Sequence, residues 1–159
     1  MVGFFEKIVK INTMIKSSVE INRKPDDVFA YIAQLDKHGE WQEAIISSKK
    51  EPKGPTRVGT RNTELRKMPG GPREVTSEVI EYNPPKRISA KGIDNGPMQA
   101  LISISVKPVQ GGLHSKVTFE LELIGRGIGK LFVGFARRKS KKQVPKDLFS
   151  LKQKLEDKA

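Results

Sequence analysis

The sequence contains no cysteine, which removes disulfides and thiolate metal sites from consideration and fits a reducing compartment. Histidine is scarce, with two in the chain, and no His, Asp or Glu spacing is that of a metal site. No Ser-His-Asp arrangement can be assembled from the sequence. Long apolar runs are missing too. None approaches the roughly 20 residues that a membrane span needs. Glu6, Lys7 and Lys10 interrupt the apolar start, and no small-residue cleavage site follows, so it does not read as a signal peptide. Gly125-x-Gly127-x-Gly129 lacks the strand-to-helix setting of a phosphate loop and reads as a loose connection. No metal or cofactor is therefore expected, and the expected location is the cytoplasm.

Acidic residues are outnumbered, 18 to 30, for a formal net charge of +12. The excess is uneven: residues 126–159 carry a net +8. Such a stripe attracts an anionic membrane surface or an acidic partner, or simply stays solvated. Arg137, Arg138, Lys139, Lys141 and Lys142 are its candidate contacts. Few aromatics accompany them, which disfavours nucleic acid read by base stacking.

At 159 residues the chain is long enough for one domain, and a chain of that size buries about 70% of its unfolded surface. Residues 1–13 form an N-terminal extension in which Phe4, Phe5, Ile8 and Val9 fall at helical spacing. Residues 14–159 are the domain. Ile15, Ser17, Val19 and Ile21 alternate with Lys16, Ser18 and Glu20 as in a half-buried strand. Pro25 with Asp26 and Asp27 opens a short helix. Its apolar face is Val28, Phe29, Ile32 and Leu35, and His38-Gly39 ends it. A second brief helical turn is expected from Trp41 through Ala44.

Strands are expected at 60–65, 75–82 and 87–91, divided by the turns 68–72, 83–85 and 94–96. Two longer alternating strands follow, joined by Gly111-Gly112. Ile102 and Ile104 belong to the inward face of the first, Phe119 and Leu121 to that of the second. The chain ends in a helix, with Ile128, Leu131, Phe132 and Phe135 and then Val144, Leu148, Leu151 and Leu155 at helical spacing. Pro145 between the two sets predicts a kink or break near 141–145.

The punctuation of this pattern resembles a known superfamily. Val19-Glu20-Ile21 followed by Pro25-Asp26-Asp27-Val28-Phe29 resembles its opening, and Trp41 the tryptophan after its first helix. Gly54-Pro55 with Val58-Gly59-Thr60, then Glu81-Tyr82-Asn83-Pro84-Pro85-Lys86-Arg87-Ile88, match its loop into the third strand and its E-x-x-P-P-x-R turn. Gly111-Gly112 and Leu151 through Glu156 are similar to its later signposts. The family is SRPBCC, the START-like or polyketide-cyclase-like helix-grip proteins, and the resemblance covers residues 14–157.

The resemblance implies an α+β fold: a curved antiparallel sheet of about seven strands around the terminal helix, two short helices after the first strand, and a cavity between sheet and helix. It implies a binder or carrier of a small apolar ligand of lipid or polyketide type, or an enzyme of the cyclase or dehydratase kind. Fold alone does not choose between these.

The residues point to binding more than to catalysis. Ile102, Ile104, Phe119 and Leu121 from the strands, Leu131 and Phe135 from the helix, and Trp41 as a cap are the candidate cavity residues. Both His38 and His114 are expected to face solvent. Glu64, Glu78 and Glu81 are read as outward, with an inward position the alternative that would make an acid or base. Arg61 and Arg66 are candidates for pairing an anionic head group.

Overall fold

A computed structural model describes residues 14–157. The helix expected within residues 1–13 lies outside the described residues. Seven strands form one antiparallel sheet: β1 (Ile15–Ile21), β2 (Ile45–Glu51), β3 (Arg61–Arg66), β4 (Arg73–Asn83), β5 (Arg87–Gly92), β6 (Met98–Val109) and β7 (His114–Gly125). Their order across the sheet is β1-β7-β6-β5-β4-β3-β2, so β1 and β2, the first two strands in sequence, are its opposite edges. A long helix, α2 (Gly129–Glu156), packs across β1 and β7. Between β1 and β2 stand α1 (Pro25–Ile32) and a 3-10 helix (Leu35–Glu40).

The alternation read from the sequence sets the sheet faces. Ile15 pairs with Leu121, Val19 with Val117 and Ile104 with Phe119. Directly paired residues project to the same side of an antiparallel sheet, so these side chains share the concave face. There Ile15, Ile21, Ile104, Val106, Val117 and Phe119 are buried. From α2, Val144, Leu148, Leu151 and Leu155 are buried against them at spacings of three and four residues. Polar contacts then fix the helix end to β1. Arg23 Nη1 donates to the Leu155 carbonyl at 2.9 Å, and Lys152 Nζ to that of Glu20 at 2.9 Å.

Three local expectations are corrected. The second short helix precedes Trp41 rather than following it, and residues 45–51 form β2 instead. That strand carries Ser47, Ser48, Lys49 and Lys50, so apolar alternation does not reveal it. Pro145 neither breaks nor ends α2, which runs on from Gly129 to Glu156. Proline deprives only the carbonyl four residues back of its donor. That residue is Lys141, which is exposed like Pro145 itself, so water can serve the carbonyl. Nor do the glycines before the helix merely loosen the connection. A Cβ at Gly129 would overlap the Pro97 carbonyl, and one at Gly125 would come within 2.8 Å of the Gly129 carbonyl oxygen. Close backbone approach requires glycine at both positions.

Candidate functional site

The concave face is divided by chemistry. Toward β1, β6 and β7 it is apolar. Val19, Tyr82, Ala100, Ile102 and Leu123 pack against the core yet remain partly accessible. Toward β2 and β3 it is polar. Asn62, Glu64 and Arg66 alternate on β3, and Asn62 and Glu64 pair with Lys50 and Ser48 of β2. Arg66 Nη1 lies 2.6 Å from Glu64 Oε2 in an ion pair whose side chains are 24% and 12% exposed. Asn62 Nδ2 donates to Glu64 Oε1 at 3.1 Å, Ser48 Oγ donates to Asn62 Oδ1 at 3.0 Å, and Arg66 Nη1 reaches Gln42 Oε1 at 3.4 Å. Glu64 therefore occupies the inward alternative, and Arg66 joins it. Apolar-in reasoning misplaces this strand because its one aliphatic residue, Leu65, lies on the opposite face beside Glu74. Arg61 and Glu78 face outward, 3.5 Å apart.

The helix contributes a second acid. Asp147 is buried, and its Oδ1 accepts from Gln143 Nε2 at 2.8 Å and from the Glu43 backbone N–H at 3.3 Å. Burial pushes its carboxyl above the usual carboxylate range, against those hydrogen bonds and the charge of Arg66.

His38, expected in solvent, is buried. Its Nε2 lies 2.7 Å from the Ile32 carbonyl oxygen, and its ring meets Trp41 edge-on at 5.3 Å. A carbonyl only accepts, so Nε2 carries the proton. Burial outweighs that hydrogen bond and lowers the imidazole pKa from 6.5. A depressed imidazole binds its proton less readily in the folded than in the unfolded chain. Folding stability from this group is thus complete above about pH 6.5 and is lost as pH falls toward the folded-state pKa. Thermal midpoints measured from neutral pH downward should fall in that window. His38→Gln, which keeps a donor without a titrating ring, should flatten the fall; an unchanged profile would remove His38 as its cause.

The predicted cavity residues separate. Ile102 is partly accessible on the apolar wall, whereas Ile104, Phe119 and Leu121 are buried in the core. Trp41, 2% exposed, is a core residue beside His38 rather than a cap at a cavity mouth. Leu131 and Phe135 do not face inward: they are 79% and 57% exposed. The helix turns that way because Arg137, Val144, Leu148 and Leu151 lie together about half a turn away, and five buried side chains, those of Val144, Asp147, Leu148, Leu151 and Leu155, belong to its second half.

Arg137, expected on the anionic-surface stripe, instead turns under the helix and donates from Nη2 to the Leu123 carbonyl at 2.9 Å. Arg138, Lys139, Lys141 and Lys142 are exposed. Two buried donors, Trp41 Nε1 and Arg137 Nε, have no acceptor among the described residues.

A depression of about 340 Å³ lies on the other side of the sheet, lined by Glu81, Arg87, Ser89, Ser103 and Glu120 among others. Its polar groups are spent on one another. Arg87 Nε and Ser89 Oγ both donate to Glu81 Oε1 at 2.9 Å, and Ser89 and Ser103 hydroxyls meet at 2.9 Å. The divided concave face is therefore the stronger candidate. Among the described residues no group of three or more His, Cys, Asp or Glu could hold a metal, and no helix is long and apolar enough to cross a membrane.

The fold is shared with solved structures of low sequence identity. A START superfamily protein from Mycobacterium smegmatis superposes with a TM-score of 0.74 at 10% identity, covering 92% of this chain and 99% of that one. The Zhui aromatase/cyclase of a Streptomyces species gives 0.69 at 10% identity, covering 89% and 90%. The di-domain ARO/CYC BexL gives 0.70 at 18% identity, with 90% of this chain matched to 46% of that one. Comparison with curated proteins returns no significant match. Residues 13–156 match one family model. On that match, and with the seven-stranded sheet and terminal helix of the START-like proteins, this chain belongs to the polyketide cyclase/dehydrase and lipid transport family.

Proposed function

We propose that the protein binds a small, largely apolar molecule carrying an oxygen-bearing polar end, held on the concave face of the sheet under α2. One observation carries this reading: the partly uncovered apolar wall of Tyr82, Ala100, Ile102 and Leu123 shares that face with the Glu64–Arg66 cluster. Binding sites for small molecules combine an apolar surface with a few placed polar groups in this way. The unpaired Nε donor of Arg137, whose guanidinium reaches the Leu123 carbonyl of that wall, adds support, because a buried N–H without an acceptor is costly and a ligand oxygen would relieve it.

Native mass spectrometry of the purified protein, with anilinonaphthalene sulfonate as a fluorescent apolar anion, tests the proposal. The expected results are a copurified molecule or saturable dye uptake, and dye uptake weakened at least about tenfold by Ile102→Trp, which fills the wall. Absence of both ligand and dye uptake, or uptake indifferent to Ile102→Trp, would sink it.

A cyclase or dehydratase reaction is the second reading. It is favoured by two carboxylates withdrawn from water, Glu64 in its ion pair with Arg66 and the buried Asp147, which burial holds above its ordinary range. Such groups can exchange protons with a bound substrate. The two readings separate on the copurified molecule: a carrier returns it unchanged after incubation, whereas a dehydratase lowers its mass by one water.

A further inference from the structure

The outward ridge of α2 has an order along the helix axis that core packing does not explain. Its first two turns present Ile128, Leu131, Phe132 and Phe135, which are 67%, 79%, 57% and 57% exposed. They stand at i, i+3, i+4 and i+7, the spacing of one helix face. The same ridge then continues as Arg138, Lys139, Lys142 and Lys146, all exposed. Between Ile128 and Lys146 the sequence holds no aspartate or glutamate. At 1.5 Å per residue, Lys142 lies about 10 Å along the axis from Phe135. An apolar tip is thus followed, one to two turns on, by a basic band.

We infer that this ridge is a docking surface for a membrane of anionic phospholipid, with Ile128, Leu131, Phe132 and Phe135 inserted among the acyl chains and the basic band held at the headgroups. Large apolar side chains clustered in water mark an interaction site, and the cluster alone would suit several apolar partners. The adjoining positive band, free of acidic residues, selects a partner that is apolar inside and negative at its surface. Interfacial segments enter a bilayer by about 5–10 Å, which matches the distance between tip and band. Apolar insertion and headgroup charge are two signals, the combination that stable peripheral anchoring takes. Arg137 has no place in this surface, because its guanidinium turns inward to the Leu123 carbonyl. A nucleic acid would account for the basic band but leave the apolar tip in water.

The test uses the full chain with vesicles of phosphatidylcholine containing phosphatidylserine and with vesicles of phosphatidylcholine alone. Cosedimentation should favour the anionic vesicles and weaken as salt rises. Leu131→Asp with Phe135→Asp should reduce it at least about tenfold, as should Lys139→Glu with Lys142→Glu. All four positions are exposed, so thermal midpoints should stay near that of the parent protein, which shows that lost binding is not lost folding. Phe132→Trp supplies a direct reporter: its emission should shift to the blue on anionic vesicles, while Trp41, already buried, stays constant. Equal binding to neutral vesicles, no binding, or binding that survives both double substitutions overturns the proposal. So does a dimer in sedimentation velocity that Leu131→Asp dissolves while vesicle binding persists, since the ridge would then serve a second copy of the chain.

Discussion

Leu151→Ala is expected to lower the free energy of unfolding by about 3–4 kcal/mol. Leu151 is 0% exposed and lies among Leu148, Leu155 and the concave residues of β1 and β7. Truncating it removes transfer free energy and leaves a cavity that flanking strands cannot close, because the sheet is held in register by its backbone ladder. The size of the effect follows from the uneven grip of α2. Its second half carries Val144, Leu148, Leu151 and Leu155, whereas in its first half only Gly129 is fully buried. Urea unfolding of parent and variant, with midpoint and slope both fitted, checks the value. Phe149→Ala, two residues away and so on the opposite, exposed side of the helix at 56% exposure, should cost well under about 1 kcal/mol. Comparable losses at both positions would mean that the helix is not anchored through its Leu151 face.

The second large effect concerns Arg66. Arg66→Met should destabilise by about 2–3 kcal/mol, because it leaves Glu64, 12% exposed, with its charge uncompensated. That falls below the usual figure for a fully buried pair, since the arginine keeps some contact with water and Asn62 still donates to Glu64. Adding Glu64→Gln to Arg66→Met should recover more than half of the loss, because the unpaired charge goes with it. The double-mutant cycle of thermal or urea midpoints isolates that coupling. Simple additivity of the two substitutions would show that the guanidinium and carboxylate act independently, and would weaken the case for a polar pole on the concave face.

The fold was legible where side-chain period and burial agree. Ile15 to Ile21, 102–106 and 117–121 alternate because each strand lays one face on the core and turns polar residues to the other. Pro25-Asp26-Asp27 marked the start of α1 through proline's fixed φ and the charge of the first turn. Legibility failed where a strand buries polar groups. β2 and β3 place Ser48, Asn62, Glu64 and Arg66 on the concave side, and their burial is offset by one another's hydrogen bonds rather than by apolar character. His38 was missed for the same reason. A histidine after a short helix reads as solvated until the Ile32 carbonyl is found facing it.

Composition and periodicity by themselves determined the parity of the longest strands, the amphipathic and basic character of the terminal helix and the lack of thiolates, while the helix-grip arrangement of these elements came from the family resemblance. Strand parity and helix amphipathicity depend on residues close in sequence, whose spacing is set by 2.0- and 3.6-residue repeats. Tertiary structure alone decided which of two apolar sets on α2 is the grip. Both Leu131-Phe135 and Leu148-Leu151 satisfy helical spacing, but a helix can lay only one face on a sheet. The approach of Gly129 to Pro97 and the burial of Val144, Leu148 and Leu151 against β1 and β7 turn Leu131 and Phe135 to the outside. The same rotation carries Arg137 inward and leaves Arg138 and Lys142 in solvent.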